Sequence, residues 1–360
     1  MKNAQTTIRD LAIKLDISIS TVSRALRNAP DVNPQTKEAV LELARKLKYE
    51  PNRVAQSLRI KKTNTLGVIV PEINLHFFSS VISGIQEYCS QHNYNIMICQ
   101  SMESAQTEKT NVHMLSANRV DGIVMSLSRQ TKRLDHIEQL IEKKIPIVLF
   151  DRVAEDIDVS KVVVDDHDGA LHAVDYMIKT GCKRIAFIGG PPNLYISSQR
   201  LKGYEDALKA NAIDLDESLI IHCKNLQDDA TDAVKQLLDL PIKPDGIFCF
   251  IDPIAIAAIE ILKERNIAIP DEISVVGFTN EPVSQYIHPS LTTVSQPAYE
   301  MGHSAAALFI EQMENKGTFT PVTKVLKTKL VLRRSTRMLM ASIPVLLNGL
   351  IDSAFAANTL

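Results

Sequence analysis

Ile19, Ser20, Ser23 and Arg24 fall at the spacing of one helix face, and together they offer two hydroxyls, a guanidinium and an apolar group. A helix that turns this face outward can enter the major groove of DNA and meet base edges. The chemistry on offer is recognition by hydrogen bonding. Further on, Arg53 and Arg59 flank Leu58 in the run Asn52-Arg53-Val54-Ala55-Gln56-Ser57-Leu58-Arg59. Two cations beside one apolar side chain suit phosphate contact around a wedge in the minor groove.

The elements that must position these groups are legible. Thr7 is an N-cap for a first helix, and Asp10 three residues later helps it start. Asp16-Ile17 makes the turn, because Asp tolerates the left-handed conformation. Ser18 caps a second helix that runs through Thr21 to Leu26, and its hydroxyl can also reach a phosphate. Ile8, Leu11, Ala12, Leu15, Ile17, Val22 and Leu26 hold the two helices together. A third helix has Asn33 as cap, Pro34 in its first turn, and Val40, Leu43, Ala44 and Leu47 as its inner stripe. Pro51 breaks the chain direction, and Asn52 can cap a short helix to about Leu58. Two turns hold too few hydrogen bonds to persist alone, so this helix is expected to form against a partner or DNA. Two readings of Leu58 stay open: a minor-groove wedge, or a side chain packed on the next domain.

Charge agrees with a nucleic-acid head. Residues 1–62 carry 13 Lys/Arg against 6 Asp/Glu, whereas the whole chain of 360 residues has a net charge of -2. The remainder is therefore acidic, and a basic head on an acidic body fits phosphate binding confined to the head. Five widely spaced cysteines without a C-x-x-C read as small core residues of a reducing compartment. No secretory signal and no membrane span is apparent, so the expectation is a cytoplasmic, nucleoid-associated protein with no membrane partner.

After the polar linker Lys61–Asn64, apolar runs alternate with amphipathic stretches. Strands are expected at Leu66–Val70, Tyr94–Cys99, Gly122–Met125, Ile145–Phe150, Val162–Val164, Arg184–Ile188, Gly246–Phe250 and Ile273–Val276. Helices are expected at Val81–His92, Asp168–Thr180, Arg200–Ala210 and Ile254–Arg265. Short continuous apolar strands between helices imply parallel sheets covered on both faces, and two such series imply two α/β lobes. Ligands of open α/β sheets bind beyond the carboxyl ends of the strands. That rule selects Phe77, Phe78, Ser126, Asp151, Asp252, Thr279 and Asn280, with Arg200 after the loop Gly189–Gln199 and Gln296 near a hinge. An aromatic floor, acceptors and one guanidinium suit a small polar ligand, a sugar first. Plainer alternatives remain for several. Asp151 and Asp252 can cap loops, Arg200 can form a surface ion pair, and Phe77 and Phe78 can belong to a core or dimer surface.

Thr21-Val22-Ser23-Arg24, followed at this spacing by Asn52-Arg53-Val54-Ala55-Gln56-Ser57-Leu58, resembles the lactose-repressor/galactose-repressor (LacI/GalR) family of bacterial transcription regulators. The resemblance extends from Thr7 to about Arg334. It implies that Ile19, Ser20 and Arg24 read bases, that Leu58 with Ala55 is a hinge-helix wedge, and that the protein binds a near-palindromic operator as a homodimer. Arg200-Leu201-Lys202-Gly203-Tyr204 resembles the family's R-x-x-G-[YW] element, whose Arg binds effector. The resemblance also implies two crossed-over lobes, with roughly Thr292–Pro321 returned to the first. Two departures stand out: Arg27-Asn28 where many members have Asn-Gly, and Thr279 where many have Asp.

Catalysis finds no support. The chain lacks G-x-G-x-x-G, a P-loop, G-x-S-x-G and H-E-x-x-H, and no histidine pair has metal-ligand spacing, so neither enzyme activity, cofactor nor metal is expected. From Met338 to Leu360 the only charge is Asp352, and Leu339, Ile343, Leu346, Leu350, Ala357 and Leu360 fit a heptad seam. The resemblance implies a use for such a seam, since some family members pair dimers into tetramers through a C-terminal leucine-rich helix; Pro344 and Gly349 are poor helix residues, and packing onto the body or a disordered apolar tail is the alternative. The expected layout is a DNA-binding domain (1–50), a hinge helix and linker (51–64), a two-lobe effector and dimerisation domain (65–337) and a tail (338–360). The expected function is an effector-controlled repressor. A periplasmic-type sugar-binding protein and a corepressor-dependent regulator of a non-sugar metabolite are the alternatives.

Overall fold

The structure is a computed structural model that describes residues 6–49, 62–223, 228–315 and 317–339. The chain divides into two compact units, Met1–Thr63 and Asn64–Leu360.

The first unit holds α1 (Ile8–Leu15), α2 (Ile19–Leu26) and α3 (Pro34–Lys46). Its caps are those expected. Thr7 Oγ1 accepts from the Asp10 amide at 3.3 Å, and the Asp10 carboxylate accepts from the Thr7 amide at 2.7 Å. This reciprocal box satisfies donors that the helix start leaves open, and the Thr7 backbone and hydroxyl hold the Asp10 carboxyl below its ordinary range. Asp16 closes α1 at φ 52°, in the left-handed region. Ser18 accepts from the Thr21 amide at 3.0 Å and starts α2. Leu11, Ala12, Val22, Ala25, Val40 and Ala44 form the buried centre.

The second unit begins with β1 (Thr65–Val70), α4 (His76–Gln91), β2 (Asn95–Gln100), α5 (Ala105–Ala117), β3 (Gly122–Met125), α6 (Asp135–Glu142), β4 (Ile147–Phe150) and β5 (Ser160–Val164). It continues through α7 (Asp166–Lys179), β6 (Ile185–Gly189), α8 (Tyr195–Ala210), β7 (Ile220–His222), α9 (Asp228–Leu238), β8 (Gly246–Cys249), α10 (Asp252–Glu264), β9 (Ser274–Thr279) and β10 (Thr292–Ser295). Last come α11 (Ala298–Glu314), β11 (Thr323–Leu326) and β12 (Lys329–Val331). The strands make two six-stranded sheets, ordered β11-β5-β4-β3-β1-β2 and β12-β10-β9-β8-β6-β7. All pairings are parallel except β10 with β12.

Both sheets are covered on both faces, as continuous apolar strands require. In β1, Leu66, Val68 and Val70 pack under α4 and α11, whereas Ile69 joins Val112, Leu115 and Ile137 on the other face. The two-residue alternation of the strand thus feeds two separate cores.

The chain passes between lobes three times: from β5 into α7 at Asp165-Asp166, from β10 into α11 at Gln296-Pro297, and from β11 into β12 at Lys327-Thr328. The segment returned to the first lobe differs from the expected Thr292–Pro321. Thr292 to Ser295 pair in parallel with Val276 to Thr279 in the second lobe, and the first lobe regains the chain from Ala298 to Leu326. Thr292-Thr293-Val294-Ser295 carries no pattern that assigns it to either sheet, and only the register does so.

Among the described residues, no helix is long and apolar enough to cross a membrane, and no group of His, Cys, Asp and Glu is placed to hold a metal ion. All five cysteines are buried free thiols.

Candidate DNA-reading face and inter-lobe cleft

On the head, Ile19, Ser20 and Arg24 are exposed and Ser23 half-buried, while Val22 and Ala25 of the same helix are buried. The face is therefore presented as its spacing demands. The hydroxyls are organised before any contact: Ser18 Oγ lies 2.7 Å from Ser20 Oγ and 2.8 Å from Thr21 Oγ1. Arg24 is paired with Asp31, beyond the end of α2. Asn52, Arg53, Ala55, Leu58 and Arg59 lie outside the described residues, as does the tail from 340 onward.

In the second unit, Leu75, Phe77, Phe78, Asp151 and Arg152 of the first lobe face Ile196, Arg200, Phe250, Ile251, Pro253, Thr279 and Glu281 of the second across a cleft, with Gln296 at a crossing. The cleft is narrow, with a cavity volume of about 50 Å³ between these walls. Phe77 and Phe78 stand edge to face with ring centres 5.1 Å apart. Both come from the first turn of α4, which follows β1 directly.

Arg200 is almost fully buried on α8. Its Nε and Nη2 donate to Asp166 Oδ1 at 2.8 and 2.7 Å, and its Nη1 donates to the Phe250 carbonyl at 2.6 Å. The guanidinium lies 3.7 Å from the Phe278 ring centre and 4.7 Å from that of Phe250. Gly190 admits that Phe250 ring, because a Cβ there would meet it at 2.5 Å. Arg200 is thus an internal strut with a cleft-facing surface, and no surface ion pair.

Asp151 leaves β4 with φ 57° and is buried beside Arg152. Burial pushes its carboxyl up to about 7, with Arg152 opposing and the Asp166 charge adding to the rise. Arg152 was not singled out in the sequence, although it directly follows Asp151. Its Nη1 donates to both Glu103 oxygens at 2.7 and 2.8 Å. Glu103 also accepts from the Arg129 amide at 2.8 Å, fixing the loop after β3. Ser126, at the start of that loop, is fully buried.

In the turn after β9, Thr279 and not Asn280 meets the cleft. Thr279, at φ 117°, lines the cleft. Asn280 is engaged elsewhere: its carbonyl accepts from Arg333 at 2.7 Å and its amide donates to Ser295 Oγ at 3.2 Å. Asp252 is likewise occupied. It is fully buried and accepts from the Glu281 amide at 2.8 Å, Ser284 Oγ at 2.6 Å and Thr293 Oγ1 at 2.5 Å. Gly277 makes room for it, since a Cβ would stand 2.3 Å from Asp252 Oδ1. Asp252 braces the turn that presents Thr279 and Glu281. Glu281 was not singled out from the sequence; its carboxyl is pushed up by burial while His76 and the His76 and Phe77 amides of α4 counter the rise.

The cleft retains polar atoms that have no hydrogen-bond partner in the protein: Arg152 Nε, Thr279 Oγ1 and Gln296 Nε2 on its walls, and Asp166 Oδ2 behind Arg200. Buried polar atoms are normally satisfied.

A three-helix head with a helix-turn-helix, joined in one chain to a two-lobe body with a cleft, defines a ligand-binding DNA regulator. Residues 7–52 match the family described as bacterial regulatory proteins, lacI family, and residues 174–336 match the periplasmic binding protein-like domain. The chain is 32% identical to the HTH-type transcriptional repressor CytR of Escherichia coli (strain K12) over 333 residues, which cover 92% of this chain and 97% of that protein. It is similar to the solved transcriptional regulator CelR–cellobiose complex, with 28% identity, a TM-score of 0.71, and coverage of 92% of this chain and 100% of the other. The Lac repressor dimer bound to operator and the anti-inducer ONPF has the same fold, with a TM-score of 0.83 at 24% identity over 93% of this chain and all of that one. The chain belongs to the LacI family: it is a DNA-binding transcriptional regulator with an effector-binding domain, and its relatives are regulators, not enzymes.

Proposed function

We propose that this regulator is a repressor that binds a near-palindromic operator as a homodimer and is switched by a sugar or sugar derivative held in the inter-lobe cleft. The observation that carries the effector reading is one cleft that combines the rings of Phe77, Phe78 and Phe250 with the unpartnered polar atoms of Arg152, Thr279 and Gln296. Flat apolar walls with a few fixed polar groups suit a ring bearing hydroxyls. Two structural relatives are described as complexes with cellobiose and with D-xylulofuranose, and this agrees with the reading.

On the DNA side, Ile19, Ser20 and Arg24 read bases, while Thr7, Ser18, Thr21 and Ser23 support the approach to phosphate. Asn52, Arg53, Ala55, Leu58 and Arg59 form the hinge, with Leu58 as wedge. Residues 1–50 are the head, 51–64 the hinge and 65–337 the effector and dimerisation domain, all working in the cytoplasm. Ligand that favours one lobe arrangement changes operator affinity, and operator changes ligand affinity by the same factor.

The test is operator selection from a random duplex pool at stated salt, followed by titration of the selected duplex with a sugar panel. An enriched near-palindrome whose affinity shifts with one sugar supports the reading. Enrichment with no shift from any sugar, and a shift from a non-sugar metabolite, would replace the effector class.

A further inference from the structure

Two arginines stand at the cleft, and each has its charge matched inside the protein. Arg200 is held by Asp166, and Arg152 by Glu103. Asp151 and Glu281 also line the cleft, with Asp252 behind the turn under the charge of Arg333, and among the described residues no lysine lines it. Among the described residues, three cations therefore meet five acids. A site with this balance has no positive charge to spend on an anion, and an anion brought into it would be desolvated without a partner.

The unpartnered atoms sharpen the chemistry. Arg152 Nε and Gln296 Nε2 only donate, Asp166 Oδ2 as a carboxylate only accepts, and the Thr279 hydroxyl does both. A fully ionised phosphate ester group only accepts, so that group placed at Asp166 Oδ2 would leave it unmatched. An ammonium only donates, so it would leave the Arg152 and Gln296 donors unmatched. Hydroxyl groups donate and accept, and satisfy the whole set.

We infer that the effector is an uncharged molecule recognised through its hydroxyls, and that its phosphorylated or carboxylated counterparts are rejected. This rests on the cleft being the effector site. Glu103 is a positioning residue here: it sits behind the wall and neutralises Arg152.

The experiment has two arms, both on the full chain. In the first, wild-type protein is equilibrated with monosaccharides, disaccharides and nucleosides paired with their phosphates, and retained molecules are identified by mass spectrometry after ultrafiltration. The neutral member of a pair should bind at least tenfold more tightly. A phosphate that binds more tightly than its neutral partner, and is lost in Arg200→Gln, overturns the inference. In the second arm, inorganic phosphate is titrated by calorimetry. Wild-type protein should show no arginine-dependent cleft binding, whereas Glu103→Gln should gain at least tenfold in phosphate affinity and lose the gain when Arg152→Gln is added. Absence of that gain in a folded Glu103→Gln variant overturns the charge-matching argument, and the first arm stands without any variant if this one does not fold. Failure of the effector-site reading looks different: a retained ligand whose affinity is unmoved by Gln296→Ala, Thr279→Val and Phe250→Ala.

Discussion

Arg200 gives both Nε and Nη2 to one oxygen of Asp166 and leaves the other oxygen without a protein partner. The pair ties α8 to the first turn of α7, at the first passage between lobes. Removing one member strands a buried charge. Arg200→Ala should cost about 3–5 kcal/mol in urea unfolding. The double variant with Asp166→Ala should cost less than the single ones summed, because each change removes the other's stranded partner. Additive losses would show that the two are not coupled. Arg200→Lys should not restore the fork, since an ammonium cannot reproduce it.

Asp151 makes stability depend on pH. Its carboxyl titrates near 7 in the folded chain, against 3.8 ordinarily. Between those values the folded state holds a proton that the unfolded state has released, so stability falls as pH rises through the window and the loss is complete above about 7. Asp151→Asn removes this dependence. The variant should gain about 1–3 kcal/mol over wild type at pH 8, with the gap closing towards pH 4. Parallel pH profiles for the two proteins would contradict the assignment.

Arg24 and Asp31 form an ion pair, both about half exposed. The same guanidinium is the proposed base reader. Asp31→Asn should therefore release it and tighten operator binding severalfold, while Arg24→Ala should lose about 1–3 kcal/mol of discrimination at one base pair. Both are read by anisotropy on matched and mismatched duplexes. Arg24→Ala with unaltered base preference would remove it from the recognition set.

The Thr7–Asp10 box predicts a local effect. Thr7→Ala should destabilise the head by about 1 kcal/mol, seen as faster amide exchange in α1 with the second unit's exchange unchanged. An equal change in both units would mean that Thr7 does more than cap.

The head was legible from sequence because its determinants are local: caps at Thr7, Ser18 and Asn33, and a left-handed Asp16. Ala25 escaped notice because small residues give a weak periodic signal, yet it is as buried as Val22. The strand-end rule selected Phe77, Phe78, Asp151 and Thr279, and all four line the cleft. They did not reveal that Asn280 is held by Arg333, 53 residues later, or that Asp252 is consumed by Ser284 and Thr293. Those partners are brought together by sheet register and not by spacing. Arg152 and Glu103 are 49 residues apart, and only the fold shows that one cancels the other.

The three passages between lobes have a mechanical consequence. Asp166 and Gln296 lie on two of them, and on the third the Thr328 amide donates to Asp165 at 2.7 Å while Lys327 pairs with the same carboxylate at 3.2 Å. A ligand that met Gln296 or Asp166 would act at the hinge between the lobes, where a small rotation becomes a large displacement at the lobe tips, just as a slight turn of an axle moves a rim.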